Sequence, residues 1–347
     1  MIAFALSSAS CSNMDDRGSG EPASSSTGGA TVATQTGGGA GARPNGSGGV
    51  TSAAGMGVAG KSAAGTGGSG AASNSSDASA FDDAGSNRDA SDDGTAPGSS
   101  CLDGITNYES DGPFKFETKT AGNLHFFVPA VPVGCKIPVV YLAGGTGAVC
   151  DPYVAIQQRL ATHGFLAVCN ENITSGDGTE CVTALDAAFA MYPSLIDDKI
   201  GVAGHEQGGG ATFMCVQQAE AKWGKSMSYA GLAMEPASGL GGVGGWMDAY
   251  AMIRSPMFMF SGSLDAVTPE SFVQQSFDAL SDTDEAYWYS AIGATSIPVP
   301  IVPTQQVAIP WFRWKLLHDG KACAFFKQMP DGADWDMRRS QNERTCR

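Results

Sequence analysis

"KIGVAGHEQGGGATFM", residues 199–214, begins as a short apolar run, crowds its glycines at 204, 208, 209 and 210, and continues into a helix-forming segment. A buried strand, a tight turn and a helix start are the simplest reading of that order. A turn this sharp lifts one side chain out of the sheet edge, and here the tip is Glu206. Its φ is expected to be positive, tolerated because Gly204, Gly208 and Gly209 let the chain crowd there.

The surrounding chain repeats the same alternation. "LHFFVP" (124–129) and "IPVVYLA" (137–143) are β-branched and aromatic runs between turn residues, and read as strands. "DPYVAIQQRLATHG" (151–164) reads as a helix, with Asp151 as N-cap, Pro152 at the first helical position and Gly164 closing it. "FLAVCN" is the next strand and "ECVTALDAAFAMY" the next helix. After the helix from Gly208 come the strands "YAGLAME" and "SPMFMFSG", a helix over 269–280, the strand "AYWYSAIG" and a last helix around "WFRWKLLHD". Strands alternating with helices predict an α/β fold, a mostly parallel sheet covered on both faces.

Composition divides the chain. Residues 12–100 are Gly, Ala, Ser, Thr and Asp with hardly any large apolar side chain. Nothing there offsets the entropy of ordering, so a disordered linker is expected. Residues 101–347 are expected to form a single folded domain. The formal net charge is −15, and residues 1–100 carry nine acids against four bases, so the folded part is acidic as well. That balance argues against nucleic acid and against an anionic membrane surface. No apolar run approaches the length that spans a bilayer.

Nine cysteines are present, and setting aside Cys11 leaves an even eight, as expected in an oxidising compartment. Two short-range pairings are expected: Cys169 with Cys181, across the loop "NENITSGDGTE", and Cys323 with Cys346, pinning the C-terminal tail. No C-x-x-C or paired-His spacing appears, so neither metal nor cofactor is expected. The start, "MIAFALSSASC" (1–11), resembles the signal peptide of a bacterial lipoprotein, which implies acylation of Cys11 after cleavage; an ordinary secretory signal is the alternative. Either places the protein outside the cytoplasm, with membrane association only through a lipid on Cys11.

The motif order resembles the α/β-hydrolase fold, and more narrowly the secreted bacterial cutinase-like and polyester-hydrolase-like group near the dienelactone-hydrolase branch. The motifs that carry the resemblance are "GGTG" (144–147), "RLATHGFLAV" (159–168), "TSGDG" (174–178), "DDKIGVAGHEQGG" (197–209), "SPMFMFSGSLDAVTPE" (255–270), "GATSIP" (293–298) and "PWFRWKLLHDG" (310–320). In active relatives the elbow G-x-S-x-G presents a serine that attacks an ester carbonyl, a histidine takes its proton and an aspartate orients the histidine. The resemblance places Asp265 at the acid position, Glu206 where the serine stands and Ser296 where the histidine stands. The triad is therefore expected to be degenerate and carboxylic-ester hydrolysis impaired.

Three roles for Glu206 remain open on the sequence. It is a covalent nucleophile, which lacks a histidine to clear the ester intermediate; or half of an acid–base pair with Asp265, which makes an atypical hydrolase; or a plug in a dead site. The oxyanion hole of the family, built from backbone N–H groups, maps to Gln207 with Gly145 or Thr146, and Glu206 could itself accept those bonds. Of the four histidines, His125, His163 and His318 read as packing or surface residues, and His205 lies beside the tip. Trp246, Tyr250, Trp288 and Tyr289 read as core or as cleft lining for an ester, lipid or polymer ligand, and a monomer is expected.

Overall fold

The computed structural model describes residues 101–172, 176–237, 247–295, 302–332 and 334–346. The expectations for residues 1–11, Cys11 and residues 12–100, and for Trp246 and Ser296, lie outside the described residues.

Among the described residues, nine strands form one sheet: β1 (Phe116–Ala121), β2 (Leu124–Pro129), β3 (Ile137–Ala143), β4 (Leu166–Asn170), β5 (Ile196–His205), β6 (Ser228–Met234), β7 (Met257–Gly262), β8 (Ala286–Ala291) and β9 (Trp335–Gln341). Their order is β1-β2-β4-β3-β5-β6-β7-β8-β9. The pairs from β4 through β8 are parallel, while β1–β2, β2–β4 and β8–β9 are antiparallel. The helices are α1 (Val154–Thr162), α2 (Thr179–Met191), α3 (Gln207–Trp223), α4 (Met247–Tyr250), α5 (Glu270–Ala279), α6 (Val302–Leu317) and α7 (Gly320–Gln328).

β3 is buried along its whole length, as a central parallel strand with helices on both faces must be. Its residues alternate between two cores. Val139, Tyr141 and Ala143 pack with α2, α3 and α5, whereas Val140 and Leu142 pack with α1, α6 and α7. The edges follow the opposite rule. β1 exposes Glu117 and Lys119, and β9 exposes Arg338 and Arg339, charges that discourage pairing with another chain.

Several expectations are refined. Asp151 and Pro152 open a 3-10 turn, Asp151–Tyr153, and Tyr153 rather than Asp151 is the N-cap of α1. The run after Pro310 continues α6, and the sequence reading did not anticipate α7 or β9 beyond it. Tyr250, Trp288 and Tyr289 are core residues, 0%, 5% and 1% exposed.

Among the described residues, four disulfides join Cys101–Cys135, Cys150–Cys169, Cys181–Cys215 and Cys323–Cys346, and favour an extracellular or periplasmic setting. The Cys323–Cys346 expectation holds, and the Cys169–Cys181 expectation is wrong. On β4, Leu166 and Val168 face the α2/α3 side and Ala167 the α1/α6 side. By the two-residue period Cys169 therefore faces α1, while Cys181 packs in the core on the other side of the sheet. Cys181 instead meets Cys215 across the contact of α2 with α3. Among the described residues, no helix is long and apolar enough to cross a membrane.

Candidate functional site

At the carboxyl edge of the sheet, β5 runs into α3 through Glu206, whose φ of 54° and ψ of −113° place a non-glycine residue in strained backbone. Glycines at two neighbouring positions make the turn feasible. A Cβ at Gly204 would lie 2.0 Å from the Gly208 carbonyl oxygen, and one at Gly208 would lie 2.4 Å from that of Ala143. Only bare backbone lets α3 approach β3 so closely.

The Glu206 carboxylate turns back onto the loop that follows β3. Oε2 accepts the Thr146 N–H at 2.5 Å, and Oε1 lies 3.0 Å from the Thr146 hydroxyl, which also lies 3.2 Å from Gln207 Oε1. The neighbouring Gly145 N–H donates to the Tyr153 hydroxyl at 2.7 Å. The Gly145 and Thr146 amides thus both have acceptors within the protein.

Beneath the tip, Tyr153 Oη stands 3.2 Å from His205 Nδ1, and His205 Nε2 stands 3.2 Å from Glu235 Oε2. Burial, reinforced by the charge on Glu206, pushes the Tyr153 hydroxyl up to about 12, so it keeps its proton. Because that hydroxyl already accepts from Gly145, its proton is free to go to Nδ1. The network then assigns the Nε2–H tautomer to His205, which donates to the fully buried Glu235 carboxylate. The chain runs one way, from Gly145 through Tyr153 and His205 to Glu235, and uses both imidazole nitrogens.

Glu235 closes β6 as Glu206 closes β5, again with a positive φ, of 47°. The two turns are stitched together: Glu206 N–H donates to the Met234 carbonyl, and Ala237 N–H to the Glu206 carbonyl, each at 2.9 Å. On the far side, a Cβ at Gly262 would lie 3.1 Å from Glu235 Oε1 and 2.5 Å from the Thr295 carbonyl oxygen.

Asp265 lies after β7, as expected, but its carboxylate serves its own loop. Oδ1 accepts from the Val267 and Thr268 amides at 2.7 and 3.1 Å, and Oδ2 accepts from the Thr268 hydroxyl at 2.5 Å. Among the described residues, Asp265 makes no hydrogen bond to Glu206 or His205. The structure therefore brings together Gly145, Thr146, His205, Glu206 and Gln207, while the hydrogen bonds of the Asp265 carboxylate go to its own loop. His125, half-buried on β2, pairs with Glu171, and His163 is buried against the Ser110 carbonyl.

Tyr153 and Glu235 were missed by sequence reasoning. One signal was available for Glu235: an acid ending the otherwise apolar "YAGLAME" needs a partner, because a charge at a buried strand end is not left bare. Among the described residues, no group of three or more His, Cys, Asp or Glu side chains could hold a metal ion. No family model matches this chain, and no curated protein matches it in sequence.

Proposed function

We propose that the chain is an exported protein of the α/β-hydrolase type whose hydrolytic site is closed, and that it acts by binding an ester, lipid or polymer ligand and not by cleaving it. The observation that carries this reading is the Glu206 carboxylate on the amide and hydroxyl of Thr146. An ester carbonyl would need that amide to stabilise its developing negative charge, and a fixed carboxylate there both blocks the donor and repels the oxyanion. The strand order supports the fold assignment, because Glu206 follows β5, Asp265 follows β7 and the start of the "GATSIP" motif, Gly293 to Thr295, follows β8. The placement of His205 supports the loss of turnover, since its Nδ1 faces the Tyr153 hydroxyl and its Nε2 faces Glu235, so neither nitrogen is aimed at the tip to take a proton there.

The competing reading, an atypical hydrolase working through Glu206 and Asp265, is disfavoured by the bonds Asp265 makes to its own loop. Incubation with a fluorophosphonate and with p-nitrophenyl butyrate separates the two. The closed site gives neither labelling nor turnover. Turnover without labelling, abolished by Glu206→Gln, would overturn the proposal.

A further inference from the structure

Away from the carboxyl edge, a cavity of about 610 Å³ opens between the end of α6 and the C-terminal tail, lined by Pro256, Glu285, Trp314, Lys315, His318 and Arg344, among others. Its chemistry centres on one amine. Lys315 Nζ contacts Glu285 Oε2 and lies 3.1 Å from the centroid of the Trp314 ring and 5.1 Å from that of Trp311. The lysine side chain is 6% exposed and the Glu285 side chain 0%. Glu285 is shared, since its Oε1 also accepts from the Tyr287 hydroxyl at 2.5 Å and from the Arg344 N–H at 3.1 Å.

We propose that Lys315 is a reactive amine that forms an imine with small aldehydes entering this cavity. The geometry supplies what that reaction requires: an amine at the wall of a ligand-sized space, the Trp314 ring against it, and a carboxylate in contact with the amine to move protons. The unprotonated Nζ attacks the carbonyl carbon, forming the C–N bond as the C=O π pair moves onto oxygen. Glu285 relays both nitrogen protons to that oxygen in turn, the first giving the carbinolamine hydroxyl and the second letting it leave as water while the nitrogen lone pair forms the C=N bond, so that one amine and one aldehyde give one imine and one water.

Burial lowers the amine to about 8 from its usual 10.5 even though Glu285 opposes the shift. Lys327 from α7 and Arg344 from the tail lower it further. The other groups that face it are Tyr287 on β8, His318 after α6 and Glu343 in the tail, and Glu343 is itself paired with Lys327. Near neutral pH this leaves a larger unprotonated fraction than an exposed lysine has.

The test treats the full-length, disulfide-intact protein with glyoxylate and cyanoborohydride, which reduces the imine to a stable carboxymethyl group, and measures each lysine by peptide mass spectrometry. At pH 7.5, Lys315 is expected to react about tenfold faster than the exposed Lys115 and Lys225, a conservative figure for the shift in amine protonation. Its rate should inflect near pH 8. In urea the preference should vanish. Lys315→Arg keeps the charge beside Glu285 and should remove the fast phase while leaving the slow labelling intact. Labelling of Lys315 no faster than that of the exposed lysines, a preference that persists in urea, or a fast phase that survives Lys315→Arg would each overturn the proposal.

Discussion

Replacing Tyr153 with Phe tests the one-way chain beneath the elbow. The ring is 2% exposed and Phe keeps its packing, so the change isolates the hydroxyl. Two groups lose a partner: the Gly145 N–H, which donates to that oxygen at 2.7 Å, and His205 Nδ1, which stands 3.2 Å from it. Gly145 is buried and the His205 side chain is 15% exposed, so water restores neither bond cheaply. An unsatisfied buried donor or acceptor costs about 1–3 kcal/mol, and relaxation recovers part of it, which puts the pair at roughly 2–4 kcal/mol. In a domain of this size each kcal/mol moves Tm by about 2–4 °C, so a fall of roughly 4–16 °C is expected. Circular dichroism melting of the oxidised protein at pH 7.5 measures it. ¹⁵N NMR of the native His205 ring should show Nε2 protonated and Nδ1 bare. A Tm within about 1 °C of native, or a native ring protonated at Nδ1, would refute the directional assignment.

Gly208→Ala sets a Cβ against the Ala143 and Gly144 carbonyl oxygens, at 2.4 and 2.5 Å, so it must push α3 away from β3. A loss of about 1–3 kcal/mol or more is expected in denaturant unfolding, and an unchanged midpoint would contradict the close approach. Glu206→Ser alone should remain inert towards p-nitrophenyl butyrate, because no free imidazole nitrogen reaches the new hydroxyl; measurable esterase activity would show that His205 is not committed as described. Burial holds His163 at about 4, below its usual 6.5. The folded state therefore binds this proton less readily than the unfolded chain does. Its contribution is complete above pH 6.5 and is lost as pH falls through 4, by up to about 3 kcal/mol. Stability measured across that window should fall less steeply in His163→Gln, and parallel curves would remove the assignment.

Periodicity and punctuation were enough to read the doubly covered sheet. Short β-branched runs alternating with helical segments leave few ways to bury both faces of each strand, and every such run named from the sequence is a strand in the fold. The elbow was legible for a local reason: glycines before and after Glu206 report a chain that must turn where no side chain fits, and the positive φ follows from that crowding. Local spacing also sufficed for Cys323 and Cys346, because α7 and β9 return the tail past its own helix. It failed for Cys169 and Cys181, which are near in sequence but lie on opposite sides of the sheet, a fact set by strand parity and by which face each helix covers. Tyr153, His205 and Glu235 come from three separate segments and meet only because β3, β5 and β6 are neighbours in the sheet. The sequence by itself determined which side chain stands at the tip. Only the tertiary structure decided what that side chain touches, because hydrogen-bond partners across a sheet edge depend on strand order and register, and neither is encoded at the positions that bond.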